Sequence, residues 1–454
     1  MTITLRHRVL GAASSVLLLC ATGRTLSAQS PVSSGPMAGY ATLREAALWV
    51  QLKAPGRVRF VYWDSAAPNV RYATAEQDAI ASNVFVVHAL ADSVREGRRY
   101  LYELQVNGRT IPMGRELGFR TPPRESGAFG VRDIRIAFGS CSNIADPRVD
   151  VPGNVYGAGY EIFEAIADQR PDFMLWGGDN LYFRDADWSS RTGMRQRYTH
   201  DRALPQLQRL LGVTNHYAVW DDHDYGPNDV DRSWSGKSRA RETFQLFWAN
   251  PEYGVPGAEQ AIGTSYRWGD VEVFLMDDRT YRASNNMRAG DGDYWGAGQL
   301  RWLIGALKSS SATFKLVANG GQVLSPLTNH ENMANYGRER GELLAALAQE
   351  QIDGVMFLSG DRHLTELTKM PRLGMYALYD ATISPLTSKP FAEPEEPNPW
   401  RVPGTWTTVR NFALLEVTGP RADRVLTITV RDQNAKILWK HPIHQRELRN
   451  GGAR

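Results

Sequence analysis

The run His216-Tyr217-Ala218-Val219-Trp220 stops abruptly at Asp221-Asp222-His223-Asp224. A short apolar stretch with aromatic and β-branched members reads as a buried strand. Side chains able to hold a metal or a phosphate follow it at once. The pattern recurs at four other places. Ile134–Phe138 leads into Gly139-Ser140-Cys141, and Phe173–Trp176 leads through two glycines to Asp179-Asn180-Leu181-Tyr182. Val271–Met276 runs into Asp277-Asp278-Arg279, and Val355–Leu358 into Ser359-Gly360-Asp361-Arg362-His363. Helical periodicity separates these strands, over 160–169 (Ile162, Phe163 and Ile166 on one face), 196–211, 237–249, 298–309 and 338–350. Alternation of this kind predicts an α/β layered domain over residues 132–445, with Lys315–Ala318 as a further strand. Three or four more β segments close the chain, at 376–383, 411–417, 425–431 and 436–439.

Ligands of α/β sheets gather at the carboxyl ends of the strands. Taken singly, each ending has a plain reading. An Asp after two glycines suits a turn or a helix cap, Asp-Asp-His suits a solvated loop, and a lone His is commonly structural. Five such endings in succession exceed what turn chemistry produces. Converging carboxylates repel one another and retain protons unless cations sit among them. Oxygen ligands suit hard ions such as calcium or oxidised iron, while thiolate and imidazole bring in a transition metal. A shared carboxylate places two metals about 4 Å apart, which clamps the attacking and leaving oxygens of a phosphate ester.

Upstream, residues 38–124 carry short alternating strands at 46–52, 57–63, 84–87 and 99–106, with Asn107-Gly108 as a hairpin turn. This predicts a small all-β sandwich, joined by a Pro- and Gly-containing linker from Thr121 to Gly130. It shows no residues with obvious chemistry. Lys389–Trp406, rich in Pro, Glu and Trp, is a long loop able to border a site.

The first 28 residues have the layout of a secretory signal: Arg6 and Arg8, the apolar run Val9–Ala21, then Leu26-Ser27-Ala28. The run is short for a membrane span, and no later stretch approaches twenty apolar residues. An exported protein, periplasmic or secreted, is expected, with no transmembrane segment after cleavage. Formal charge is +3, from 52 basic and 49 acidic residues. Arg6, Arg8 and Arg24 account for the whole excess, so the body carries 49 of each and offers no general attraction to nucleic acid. Cys20 falls in the signal, which leaves Cys141 as the one cysteine beyond it. It has no disulfide partner, so it is either a small buried hydrophobe or a metal-bound thiolate.

Phe138-Gly139-Ser140-Cys141, GDNLY at 178–182, WDDHD at 220–224, MDDRTYR at 276–282 and SGDRH at 359–363 together resemble the signature blocks of the PhoD-like alkaline phosphatases, which are calcineurin-type metallophosphoesterases. The resemblance covers nearly the whole chain after the signal. It implies a sheet-on-sheet catalytic sandwich flanked by helices, preceded by an immunoglobulin- or fibronectin-like domain. It further implies a multinuclear centre of iron(III) and calcium, with other divalent metals as substitutes, acting on a phosphate ester. By position, Cys141, Asp179 and Tyr182 correspond to the iron ligands, with Asp179 bridging. Asp222, Asp361 and His363 correspond to the remaining metal ligands. His223 corresponds to the catalytic histidine, and Arg279 is placed to hold phosphate, although it could equally pair with Asp277 or Asp278. Asn228 and Asp229 either add calcium ligands or form a capped turn. Two departures stand out: Asn180 where many members have Tyr, and Asp224 where Glu is commoner.

The expected function is therefore metal-dependent hydrolysis of phosphate mono- or diesters by metal-activated water. A phospholipid- or nucleotide-directed phosphodiesterase is a variant of that reading. A non-enzymatic adhesion protein with structural calcium is the contrasting one, and a thiol, a phenol and an imidazole have little use in such a calcium site.

Overall fold

The computed structural model describes residues 1–2, 30–124, 131–285, 292–328, 330–392 and 394–451. Two units are distinguished, Met1–Ser30 and Pro31–Arg454. The export signal and Cys20 lie outside the described residues, apart from Met1 and Thr2.

The strand that ends at the Asp-Asp-His run spans Asn215–Val219 and is buried throughout. It runs parallel to Phe173–Gly177, which runs parallel to Ile134–Gly139. Asn411–Thr418, Val425–Asp432 and Ile437–His444 extend this sheet on one side in antiparallel fashion. The last of these confirms the expected terminal hairpin. On the other side Val32–Ala41 pairs with Asn215–Val219 in parallel, through Ala38 and Asn215, and Ala46–Leu52 and Val86–Ala91 follow. The result is one sheet of nine strands.

A second sheet has six strands. Thr264–Trp268 flanks the parallel set Val271–Leu275, Phe314–Ala318, Val355–Ser359 and Met375–Thr382, and Glu366–Arg372 closes the other edge. A third sheet centres on Gly56–Asp64 and Arg99–Val106. Its hairpin turns at Asn107 and Gly108, with φ of 51° and 75°, as a two-residue turn with both φ positive requires.

The two larger sheets face one another across aromatic side chains. Tyr217 of the first stacks on Tyr266 of the second at 3.7 Å between ring centres, and Phe173 lies 5.1 Å from Trp268. Helices cover the outer faces. Gly296–Ser309 turns Leu300, Leu303 and Leu307 inward, the i, i+3, i+7 spacing of a helix with one apolar face. Ile162–Asp168, Lys237–Phe247 and Gly337–Gln349 likewise match the periodicity. The helix expected over 196–211 is instead two, Arg191–Arg202 and Pro205–Val213. Pro205 explains the break: it holds the preceding residue out of the helical region and suits the first turn of a new helix. No helix among the described residues is long and apolar enough to cross a membrane.

Candidate metal centre

Every parallel strand around the centre releases its chain into a sharp turn. Cys141 and Asp179 each follow two residues after a strand end, as does Asp361. Their φ angles are 60°, 50° and 66°, and that of His363 is 53°. A side chain in this left-handed region costs on the order of 1–3 kcal/mol, held only where surrounding structure enforces it. Four such residues at one place mark a strained site. Close approach of neighbouring strand ends, within one sheet and between the two, supplies the constraint. A Cβ on Gly178 (φ 91°) would lie 2.9 Å from the Asp221 Cβ, and one on Gly360 would lie 2.4 Å from Ser140. Only glycine fits at either position.

The turns bring three overlapping groups of donors together. Ligand atoms of Cys141, Asp179 and His363 lie within 4.8 Å of one another, as do those of Asp179, Asp222 and His223, and those of Asp222, Asp229 and Glu331. Asp179 and Asp222 each belong to two groups, so the acids form a chain. Tyr182 joins the first: its hydroxyl donates to Asp179 Oδ2 at 2.9 Å and lies 2.9 Å from His363 Nε2. Its ring centre is 4.1 Å from that of His223, which fixes the imidazole. Asp361 belongs to the same charged neighbourhood, where Asp222 and Glu331 both disfavour its ionisation.

Burial dominates the electrostatics. It raises Asp179 well above the ordinary carboxyl value, with Asp222 and Cys141 adding repulsion. It pushes the Cys141 thiol to about 12 and the Tyr182 phenol well above its usual value. Asp361 moves up to about 7 and Asp224 to about 8, while His363 falls to about 4. Without cations, burial favours the protonated form of Asp179, Asp224 and Asp361 and the neutral imidazoles of His223 and His363, whereas the Arg279 and Arg282 guanidiniums hold Glu331 ionised. Some polar atoms are left over even so. Asp222 Oδ1, Glu331 Oε2 and His223 Nδ1 are buried with no hydrogen-bond partner. A buried carboxylate oxygen with nothing to accept from is costly unless a cation meets it. The donor set of thiol, phenol, imidazole and carboxylates fits metal ions.

Supporting contacts hold the donors. Ser384 Oγ donates to Cys141 Sγ at 3.1 Å and accepts from His363 N–H at 2.9 Å, locking two strand ends together. The loop beyond Lys389 borders the site as expected, with Phe391 N–H donating to the His363 carbonyl at 2.8 Å. Asp224 is fully buried and accepts from the N–H groups of Asn180 and Asp221, each at 3.1 Å. Its shorter side chain than Glu thus binds backbone and ties two donor loops together. Asn180 completes that bridge, its side-chain amide donating to the Val219 carbonyl at 2.7 Å.

Arg279 sits differently from a phosphate clamp. It is fully buried; Nε donates to Asp221 Oδ1 at 2.6 Å, Nη2 donates to the same oxygen, and Nη1 donates to Glu331 Oε1 at 2.7 Å. Asp277 receives only its backbone N–H, at 3.0 Å. A guanidinium enclosed among carboxylates orients those carboxylates; it presents no free fork to a ligand. Glu331, which also pairs with Arg282 at 2.7 Å, escaped the sequence reading because no strand ends near it. Asp229, at φ 58°, donates its N–H to Asp222 Oδ2 at 2.8 Å and also joins the third donor group.

Among solved structures the chain is similar to a structure of PhoD, with a TM-score of 0.74 and 15% identity over 92% of each chain. It is also similar to purple acid phosphatase PPD1 from yellow lupin (Lupinus luteus) seeds, with a TM-score of 0.65 and 11% identity over 91% of this chain and 74% of that one. At such identities the likeness speaks for the fold, a layered metallophosphatase-like sandwich, and the donor groups at its strand ends make the class that of metal-dependent phosphoesterases. No curated protein sequence matches the chain. The sequence profile described as PhoD-like phosphatase matches residues 136–396, more than half of the chain, and the protein belongs to that family.

Proposed function

We propose that the protein is an exported phosphate mono- or diesterase that carries iron(III) and calcium. The observation that supports it best is the chain of three donor groups sharing Asp179 and Asp222, with Asp222 Oδ1 buried without a hydrogen-bond partner among the described residues and Arg279 3.8 Å from it. Cys141, Asp179, Tyr182 and His363 offer the sulfur, carboxylate, phenol and imidazole donors that suit iron, and Asp222 and Asp361 offer the oxygens that suit calcium. Bound cations would neutralise the phosphate oxygens and acidify a water molecule.

The chain's own side chains have defined tasks in this reading. Burial keeps the His223 imidazole neutral, and Tyr182 holds its ring, so it is set to exchange a proton with the ester oxygen. Arg279 and Glu331 hold Asp221, and through the backbone Asp222, in place. The export signal at 1–28 belongs to the proposal, supported by its basic, apolar and small-residue segments. So does the division into a β-sandwich domain at 38–124 and a catalytic domain at 132–445, with the strand pairing at Ala38 and Asn215 acting as a buttress between them.

Purified protein assayed on aryl phosphate mono- and diesters, before and after chelation, tests the function. Turnover lost with chelator and regained with iron and calcium is expected, together with visible absorption from a phenolate or thiolate bound to ferric iron. No metal-dependent turnover of either ester would sink the proposal.

A further inference from the structure

Away from the metal centre, five arginines line one cavity of about 450 Å³: Arg99, Arg115, Arg120, Arg170 and Arg209. They arrive from both parts of the molecule. Arg99, Arg115 and Arg120 belong to the N-terminal β region, whereas Arg170 follows the helix Ile162–Asp168 and Arg209 lies in the helix Pro205–Val213. Glu116 is the one acidic residue in the wall.

Three of the arginines have carboxylate partners. Arg99 pairs with Glu116, Arg120 with Asp172 at 3.4 Å, and Arg209 with Glu164 at 3.0 Å and Asp168 at 2.7 Å. These arginines are 40–42% exposed, and surface pairs of this kind contribute little to stability. The other two have no carboxylate partner among the described residues. Arg115 is held by the Gly35 carbonyl at 2.7 Å, and its Nε is buried without a partner. Two guanidinium groups without a carboxylate partner and three exposed, carboxylate-paired ones facing one cavity leave an excess of positive charge there.

We propose that this cavity binds a small soluble anion carrying more than one phosphate group. Planar guanidinium forks match phosphate oxygens two at a time, and several forks from different directions favour several phosphates over one. The volume falls in the range of small-molecule sites, roughly 300–1,000 Å³. The concave shape suits a soluble ligand better than a membrane surface. The site is separate from the metal centre. Arg170 precedes the strand Phe173–Gly177, and Asp179 follows its other end; five residues at about 3.3 Å each put roughly 16 Å between them. A ligand here would tie the N-terminal β region to the α/β region, and so gives the β region a binding role of its own.

Methylenediphosphonate, which has no hydrolysable bridge, is the probe, titrated calorimetrically into the metal-loaded full chain. The comparison variant is Arg170→Gly with Arg209→Gln. Arg170 has φ of 51°, a conformation glycine adopts freely, so the first change relieves strain and protects folding. The wild type is expected to bind one equivalent more than the variant, or the same site about tenfold more tightly, with turnover of an aryl phosphate unchanged between them. Malonate, with carboxylates in place of phosphonates, is expected to bind at least about tenfold more weakly to the wild type. Equal stoichiometry and affinity in wild type and variant overturn the site, and malonate binding as tightly as the diphosphonate overturns its phosphate preference. Vesicles containing phosphatidic acid should leave the protein in the supernatant; co-sedimentation that the double variant loses would replace the soluble ligand with a lipid headgroup.

Discussion

Phe173 and Asp179 lie six residues apart on one strand and its exit, yet their surroundings are opposite. Phe173 is fully buried against Tyr217, Tyr266 and Trp268, where nothing charged competes for water. Asp179 is 1% exposed among Cys141, Asp221, Asp222 and Asp224, in the left-handed backbone region that few non-glycine residues occupy. The strand interior is stabilised by burial of apolar area; the strand end is destabilised by buried, mutually repelling groups. Aromatic packing between the sheets, Tyr217 on Tyr266 and Phe173 on Trp268 among it, holds the strained turns in place. The comparison teaches where function sits: at the end of the element that the protein can least easily deform.

The largest expected effect breaks the comparison at its polar end. Asp179→Asn removes the acid common to two donor groups, and hydrolysis should fall by at least about a thousandfold, the scale of losing a metal's several kcal/mol of charge stabilisation. Metal analysis should show the loss directly. His223→Ala provides the contrast, keeping bound metal while slowing turnover by about a hundredfold or more, as befits a lost proton-transfer group. Retained metal and rate in the Asp179 variant would remove Asp179 from the centre.

These two variants also show how far the sequence could be read. The strand ends were legible because an apolar run that halts at Asp, Cys or His is a one-dimensional signal. So were Cys141, Asp179, Tyr182, Asp222, His223 and His363 as neighbours, since parallel strands of one layered fold deliver their exits to one edge. Arg279 was legible as a member of the site, but its direction was not. Only the fold reveals that Asp221 and Glu331 enclose it. Glu331, Ser384 and the Arg-lined cavity depend on chain segments brought together from far apart, and no spacing in the sequence encodes that. The strand Val32–Ala41 was missed as well: its two glycines and Pro36 blur the alternation, although Ala38 and Asn215 make it the join between two regions.

An intermediate effect breaks the apolar end. Phe173→Ala leaves a hole between the sheets and should lower stability by about 3–5 kcal/mol, read from denaturant unfolding of the metal-loaded protein. Its metal content should stay at the wild-type level, because the strand continues for four residues before the turn. A variant that lost metal in proportion to stability would show that the two ends are one cooperative structure and that the contrast drawn between them is wrong.

The smallest effect sharpens the contrast through pH. In metal-free protein burial lifts the carboxyls of Asp361 and Asp224 from the usual 3.8 to about 7 and about 8. Between about pH 4 and pH 8 the folded chain therefore holds protons that the unfolded chain has released. Stability must then fall as pH rises through that window, by about 1 kcal/mol per pH unit for each such carboxyl. Cations bound beside these carboxylates favour their ionised form in the folded state and so flatten the slope. Thermal unfolding of chelator-treated and metal-loaded protein at pH 5 and pH 8 measures both cases: the melting temperature of the first should drop and that of the second should hold. Parallel behaviour of the two preparations would mean that these acids find their compensation elsewhere than in bound metal, whereas divergence that disappears in Asp224→Asn would locate part of it at the residue that ties Asn180 to Asp221.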